Sequence, residues 1–290
     1  MKNKYLAGIL ALSVGFGSLN VNADHQVSKI DDKALHAAID KRSEKDKARD
    51  QYRNPAKTLA FFQIEPGMKV AEALPGGGWY SKILADYLGG KGALYGINYA
   101  DDMWPRFGFF SEDRIKNFIA RTTEFPGMIS EFTDNGIATD GFTFATIPST
   151  LNGTLDRVLF VRALHNLNRF EAEAGTASQA LKASYDLLKP GGMVGVVQHR
   201  LDENAGAEGA NGQRGYLKQS QVVEAFKSAG FELVATTEFN ANPKDQPSES
   251  DVVWRLPPSL NGVKDNEQKK KAMLAIGESD RMTLLFKKPE

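Results

Sequence analysis

Residues 70–84, VAEALPGGGWYSKIL, constrain the fold more than any other stretch: an apolar run, one acid, three glycines and the start of a helix. A glycine turn between a strand and a helix lets backbone N–H groups approach a ligand that a Cβ would keep away. It also aims a helix N-terminus at that ligand. The flanks complete a unit. MKVAEAL (68–74) reads as a buried strand, GGWYSKILADYLGG as a helix closed by Gly89 and Gly90, and GALYGIN (92–98) as a second strand. Strand, tight loop, helix and strand make a βαβ unit, which commits the chain to a parallel sheet covered by helices.

The rest of the chain extends that alternation. DRVLFVRALHNL (156–167) reads as a near-continuous apolar strand, the pattern of burial on both faces. ASQALKASYDLLKPGG is a predicted helix ending at residues 189–192, with MVGVVQHR as the following strand. SQVVEAFKSAGFELVATTEF repeats helix and strand with Gly230 as the stop, and RMTLLFKK is a last strand. Upstream, PAKTLAFFQI places Leu59, Phe61 and Phe62 at helical spacing, and Leu35, Ala38 and Ile39 form one face of an earlier short helix. The expected fold class is α/β: one doubly wound, mainly parallel sheet with helices on both faces. Three insertions interrupt it: aromatic-rich 99–125, glycine-rich 201–216 and proline-rich 239–260. Insertions at the carboxyl ends of strands are where substrate lids sit.

Composition narrows the chemistry. Lys+Arg and Asp+Glu are equal at 36 each, so no overall field favours nucleic acid, and KKK at 269–271 reads as a solvated surface run. The chain has no cysteine, which removes disulfides, thiolate metal sites, cysteine nucleophiles and acylation from consideration. His25, His36, His165 and His199 are the only histidines, and none pair at i,i+3 or i,i+4, so no metal site is expected. Lys2 and Lys4, the apolar run YLAGILALSVGF and the sequence Val21-Asn22-Ala23 read as a cleavable export signal cut after Ala23. That run is short of the roughly 20 residues needed to cross a bilayer, so a periplasmic or otherwise exported protein, with no stable membrane insertion, is expected. The organisation is then a signal peptide over 1–23, a helical arm over 24–53 and one domain over 54–290.

The glycine loop is not a phosphate cradle of the Walker type, because GK[ST] is missing, and G-x-G-x-x-G fails at Ser81. Glu72, at the end of the strand, suits an ammonium or a ribose hydroxyl and would repel a naked phosphate. At the end of the second strand, where nucleoside-binding folds place a ribose-binding acid, stands Asn98, which still offers a carbonyl acceptor. Asp101 and Asp102 follow in what reads as a solvated loop.

The E-x-x-x-G-x-G pattern of Glu72, Gly76 and Gly78, together with the KPGG turn before a late strand, resembles class I S-adenosylmethionine-dependent methyltransferases, and so does the order of elements. Four stretches resemble a family of exported bacterial proteins of that superfamily: RDQYRNPAKTLAFFQIEPGMKVAEALPGGGWYSKIL, VRALHNL, GYLKQSQVVEAFKSAGFELV and FNANPKD…VWRLPPSL. The resemblance implies a Rossmann-like methyltransferase fold with S-adenosylmethionine as cofactor and a small-molecule acceptor. It implies that the loop of Pro75, Gly76, Gly77 and Gly78 contacts the methionine part, with Glu72 near the amino group and Asn98 at the ribose. Leu74 stands in the place of the superfamily's first glycine, and Asn98 in that of its ribose acid.

His165, in RALHNL, follows the fourth strand and is the candidate catalytic base, with hydrogen bonding within the crevice wall as the alternative. Tyr52, Arg53 and Asn54 are placed to form a lid, with Asn54 as a helix cap before Pro55. Trp104, Phe107, Phe109 and Phe110 line an acceptor pocket or pack on their own helix. A non-catalytic exported binding protein on the same scaffold is the alternative function. A nicotinamide-dependent oxidoreductase is disfavoured by the incomplete dinucleotide fingerprint.

Overall fold

The computed structural model describes residues 32–248 and 250–290; the expected signal peptide and the start of the arm lie outside them. Eight strands form the sheet: β1 (Lys69–Ala73), β2 (Ala93–Asn98), β3 (Ala138–Thr143), β4 (Leu155–Val161), β5 (Leu188–Leu201), β6 (Leu217–Lys218), β7 (Glu232–Thr237) and β8 (Arg281–Lys287). Their order is β3-β2-β1-β4-β5-β8-β7, with the two-residue β6 beside β5. Pairing is parallel from β3 to β5, and β8 runs antiparallel to both β5 and β7. The chain leaves β1 toward β2 and β3 and returns on the other side as β4. That reversal opens a crevice at the carboxyl ends of β1 and β4, where ligands bind in sheets of this kind.

The central strands carry apolar side chains on both faces because both faces are covered. Val158 and Phe160 of β4 join Leu284 and Phe286 of β8 and Phe226 in one cluster. Leu159 and Leu285, one position away, join Phe62, Ile83 and Leu84 in the other. Alternation splits a continuous apolar run between two cores. The arm docks on the second core: the helix Asp32–Asp40 buries Leu35, Ala38 and Ile39 there. At about 1.5–3 kcal/mol for a buried leucine-sized side chain, this face alone anchors the arm.

Local structure departs from the sequence reading in four places. The strand expected over 156–167 ends at Val161, because Arg162 adopts a left-handed backbone (φ 59°), and a short helix Leu164–Asn168 follows. The helix before β5 stops at Leu187, and KPGG begins β5. Asn54 takes the N-cap position before Pro55, but its side chain makes no capping bond; its backbone is left-handed (φ 41°), and its Nδ2 donates to the Phe239 carbonyl at 2.6 Å. The edge strand β3, ATDGFT, carries no apolar alternation to announce it. Gly141 within it is obligatory, since a Cβ there would lie 1.7 Å from the Thr122 carbonyl oxygen. The three insertions begin at the carboxyl ends of β2, β5 and β7, as the sequence implies.

Candidate active site

The crevice at the carboxyl edge contains a cavity of 440 Å³ floored by Glu72, Leu74, Pro75, Gly76 and Gly77. It adjoins a second of 570 Å³, sharing Leu74, Gly76, Arg162, Asn166 and Trp254, which reaches Asn98 and the aromatic insertion. The two cavities are therefore adjoining parts of one crevice along the carboxyl edge, one reaching Glu72 and the other Asn98.

The loop keeps the backbone of a glycine turn even where it lacks glycine. Leu74 has φ 53°, in the left-handed region that costs a branched side chain of order 1–3 kcal/mol. Leu74 and Arg162 end the neighbouring strands β1 and β4, and both hold this strained backbone at the crevice. The glycines serve different ends. A Cβ on Gly77 would meet nothing within 4 Å, so its surface is open to a ligand, whereas one on Gly78 (φ 72°) would lie 2.8 Å from Met128. Gly78 is thus a packing and turn residue that starts the helix Trp79–Leu88.

Glu72 is 4% exposed. Its hydrogen-bond partner is Ser81, whose Oγ donates to Oε2 at 2.5 Å. Burial pushes its pKa up to about 7, against the pull of Ser81 and the more distant Arg162. A buried carboxylate this short of counter-charge is a ready partner for an incoming cation. Asn98 donates from Nδ2 to Thr122 Oγ1 at 3.1 Å, which turns its carbonyl toward the remaining role of acceptor. Beyond it Trp104, Phe107, Phe109 and Phe110 both pack on one another and line the second cavity, Trp104 stacking on Phe118 at 4.5 Å between centroids. Asp101 and Asp102 are exposed, and Asp102 pairs with Arg106.

His165 lies in the wall of the first cavity and is 3% exposed. The Gln198 amide nitrogen donates to the carbonyls of His199 and Gly215, so its Oε1 faces His165 Nδ1 at 3.2 Å. An amide oxygen only accepts, so the Nδ1 nitrogen carries the proton and the ring's Nε2 holds the lone pair. Burial lowers the His165 pKa to about 4, with Gln198 opposing and Arg162 assisting. The ring is therefore neutral at physiological pH, although it is a weaker base than a solvated histidine. His199, distant in sequence, sits beside it with ring centroids 5.2 Å apart. Its Nδ1 meets Ser279 Oγ at 2.5 Å, and burial pushes its pKa well below the usual range.

Of the other wall, sequence reasoning singled out only Arg53, as part of a lid, and missed the rest. Arg49, Arg53, Arg162 and Arg281 line the first cavity with one carboxylate among them, Glu278. Arg49 and Arg281 pair with Glu278 directly, and Arg53 Nε lies 3.5 Å from it. Burial alone would raise the Glu278 pKa, yet the guanidiniums of Arg281, Arg53, Arg49 and Arg162 hold it down at about 2. Arg53 is stacked on Trp79, 4.4 Å from the ring centroid, which fixes the arm over the crevice. A usable signal existed for two more of the four. Arg162 directly follows a strand facing the crevice, and Arg281 opens a strand that, running antiparallel opposite His199, starts at the same sheet edge.

No protein-family model and no curated protein sequence matches this chain. Solved structures do. A chain from the complex between the Haloferax volcanii Trm112 methyltransferase activator and a methyltransferase superposes with a TM-score of 0.51 at 17% identity, over 89% of this chain and 97% of that one. The chain has the Rossmann-like methyltransferase fold. A SAM dependent methyltransferase from Aquifex aeolicus (TM-score 0.46, 17% identity, 72% and 93% covered) and a methyltransferase from Bacillus halodurans (0.48, 14%, 82% and 100%) are more distant likenesses.

Proposed function

We propose that the protein is an exported S-adenosylmethionine-dependent methyltransferase acting on a small-molecule acceptor. The observation that carries this reading is Glu72: a buried carboxylate, its pKa raised to about 7, beside a glycine loop whose outer face is open. Its chemistry fits the ammonium of a methionine tail, and Gly76 and Gly77 leave room for backbone contact with that tail. Pro75 and Gly78 shape the turn, and Asn98 offers its carbonyl to a ribose hydroxyl. The cofactor supplies an electrophilic methyl group on a sulfonium, so the protein's task is to position and desolvate the reactants. His165, held as the Nδ1–H tautomer by Gln198, presents Nε2 to take a proton from the acceptor's nucleophilic atom. The export signal over 1–23 and the resemblance to exported bacterial methyltransferases support a periplasmic location. The balanced charge and the absence of a basic stripe support an acceptor other than nucleic acid.

Calorimetric titration of the mature chain with S-adenosylmethionine and S-adenosylhomocysteine tests the reading. Micromolar binding of both is expected, and affinity no better than millimolar would sink it.

A further inference from the structure

The four arginines exceed what the cofactor can use. Asp46, at the cavity rim, is engaged by Lys82 at 2.9 Å, and Glu72 is assigned to the ammonium. Glu278 offsets one of the four guanidinium charges, and the carboxylate of a methionine tail would offset a second. Two positive charges remain inside a cavity whose walls include the neutral rings of His165, His199 and Trp254. Hydrogen bonding tells the same story. Arg53 and Arg281 are each 2% exposed, yet among the described residues Arg53 Nη1 and Arg281 Nε have no partner, and neither has Arg162 Nε. Buried N–H groups without acceptors cost about 1–3 kcal/mol each, and more when charged, so three in one cavity wall mark a place where acceptor oxygens arrive with the ligand.

The wall is also rigid before any ligand enters. Arg53 is stacked on Trp79. Arg281 is held by Glu278 and donates from Nη1 to the Tyr52 carbonyl at 3.0 Å. Arg49 is tied to the same Glu278, and Arg162 leaves β4 beside them on a left-handed backbone. Planar forks held in place are what bidentate recognition of carboxylate or phosphate requires. Glu278 keeps them together without satisfying them.

We propose that the methyl acceptor carries an anionic oxygen group, a carboxylate or a phosphate, seated against Arg49, Arg53, Arg162 and Arg281 on the His165 side of the crevice. The word acceptor rests on the methyltransferase reading; the anion site itself rests on the arginines. An anion there also lowers the positive field that disfavours a proton on His165, so the base strengthens when its substrate is in place.

Titration of the full mature chain with inorganic phosphate and, separately, with malonate tests this, each with and without saturating S-adenosylhomocysteine. Binding of at least one anion at one site is expected to persist with S-adenosylhomocysteine present, and the tighter of the two names the group. Arg49→Gln, the more exposed member, and Arg162→Gln, which pairs with no carboxylate, should each weaken that binding by about tenfold or more while melting cooperatively. Anion binding abolished by S-adenosylhomocysteine would overturn the proposal, since the arginines would then serve only the cofactor's carboxylate. So would anion affinity unchanged in both variants, or no anion binding by a protein that binds S-adenosylhomocysteine. Phosphate or malonate binding by a protein that ignores S-adenosylhomocysteine would uphold the anion site and remove the methyltransferase reading instead.

Discussion

Replacing Glu72 by glutamine should make the ligand-free protein more stable at neutral pH while weakening its hold on the cofactor. The wild-type carboxyl is buried, bonded to Ser81 Oγ, and titrates at about 7 against an ordinary value of 4.5. Because the folded pKa is raised, the folded state keeps a proton that the unfolded state gives up between pH 4.5 and about 7. Stability therefore falls as pH rises through that window and levels off above it. A shift of this size is worth about 3 kcal/mol once the group is fully ionised. Glutamine has the shape of the protonated acid and can still accept from Ser81, so Glu72→Gln should match wild type near pH 4.5 and gain up to about 3 kcal/mol above pH 7. His165 titrates in the opposite sense: its pKa is lowered to about 4, so it contributes stability that is lost as pH falls from 6.5 toward 4. In wild type the two slopes oppose each other, and the variant should expose the histidine slope. Urea denaturation across this range measures the difference curve. Calorimetry in two buffers of unlike ionisation enthalpy measures the companion effect: cofactor binding should release about half a proton from wild type near pH 7 and none from the variant. A variant less stable than wild type at neutral pH, or a difference independent of pH, would refute the reasoning.

Four further outcomes follow from the same geometry. Leu74→Gly should be more stable than Leu74→Ala by about 1–2 kcal/mol in denaturant melts, reversing the usual order, because both lose the side chain but only alanine keeps the cost of φ 53°. Gly77→Ala should melt within about 0.5 kcal/mol of wild type yet bind S-adenosylhomocysteine at least tenfold more weakly, since its Cβ would occupy the open face of the loop. His165→Asn should lower kcat with little change in S-adenosylhomocysteine affinity, and the wild-type acid limb of kcat should fall well below the ordinary histidine pKa; unchanged turnover would assign the ring to the crevice wall. Glu278 has a depressed pKa, so its stabilisation is present above pH 4.5 and lost as pH falls toward about 2. Glu278→Gln should remove about 3–5 kcal/mol at neutral pH by leaving buried guanidiniums uncompensated, read as a lower urea midpoint.

The sheet was legible because its strands are buried on both faces, and such strands are written as unbroken apolar runs closed by glycine. β2 and the apolar stretches within β1, β5 and β8 show it, although only β1 leads directly into a glycine loop. β3 escaped notice because this edge strand carries no apolar alternation. The run 156–167 was overextended at Arg162, whose left-handed backbone interrupts it without a glycine or proline to mark the place. The floor of the crevice was legible for a similar reason: a glycine loop after a strand marks the carboxyl edge of the sheet, and Glu72, Gly76, Gly77 and Asn98 do line the two cavities there. The arginine wall was not. Its members come from the arm, the end of β4 and the start of β8, and although the positions of Arg53, Arg162 and Arg281 each carried a local hint, nothing local shows that these segments meet in one charge cluster.

That assembly has a consequence for how the protein comes into being. Arg49 and Glu278 are 229 positions apart, as are Tyr52 and Arg281. The arm can dock by its apolar face early, and Arg42 pairs with Asp50 within it, yet Arg49 and Arg53 lack their carboxylate partner until Glu278 has been synthesised and β8 has threaded between β5 and β7. Contacts so far apart along the chain form late and slowly. The crevice is thus the last part of the molecule to mature, and a chain interrupted ahead of residue 278 would retain its glycine loop and lack the clasp that closes the pocket above it.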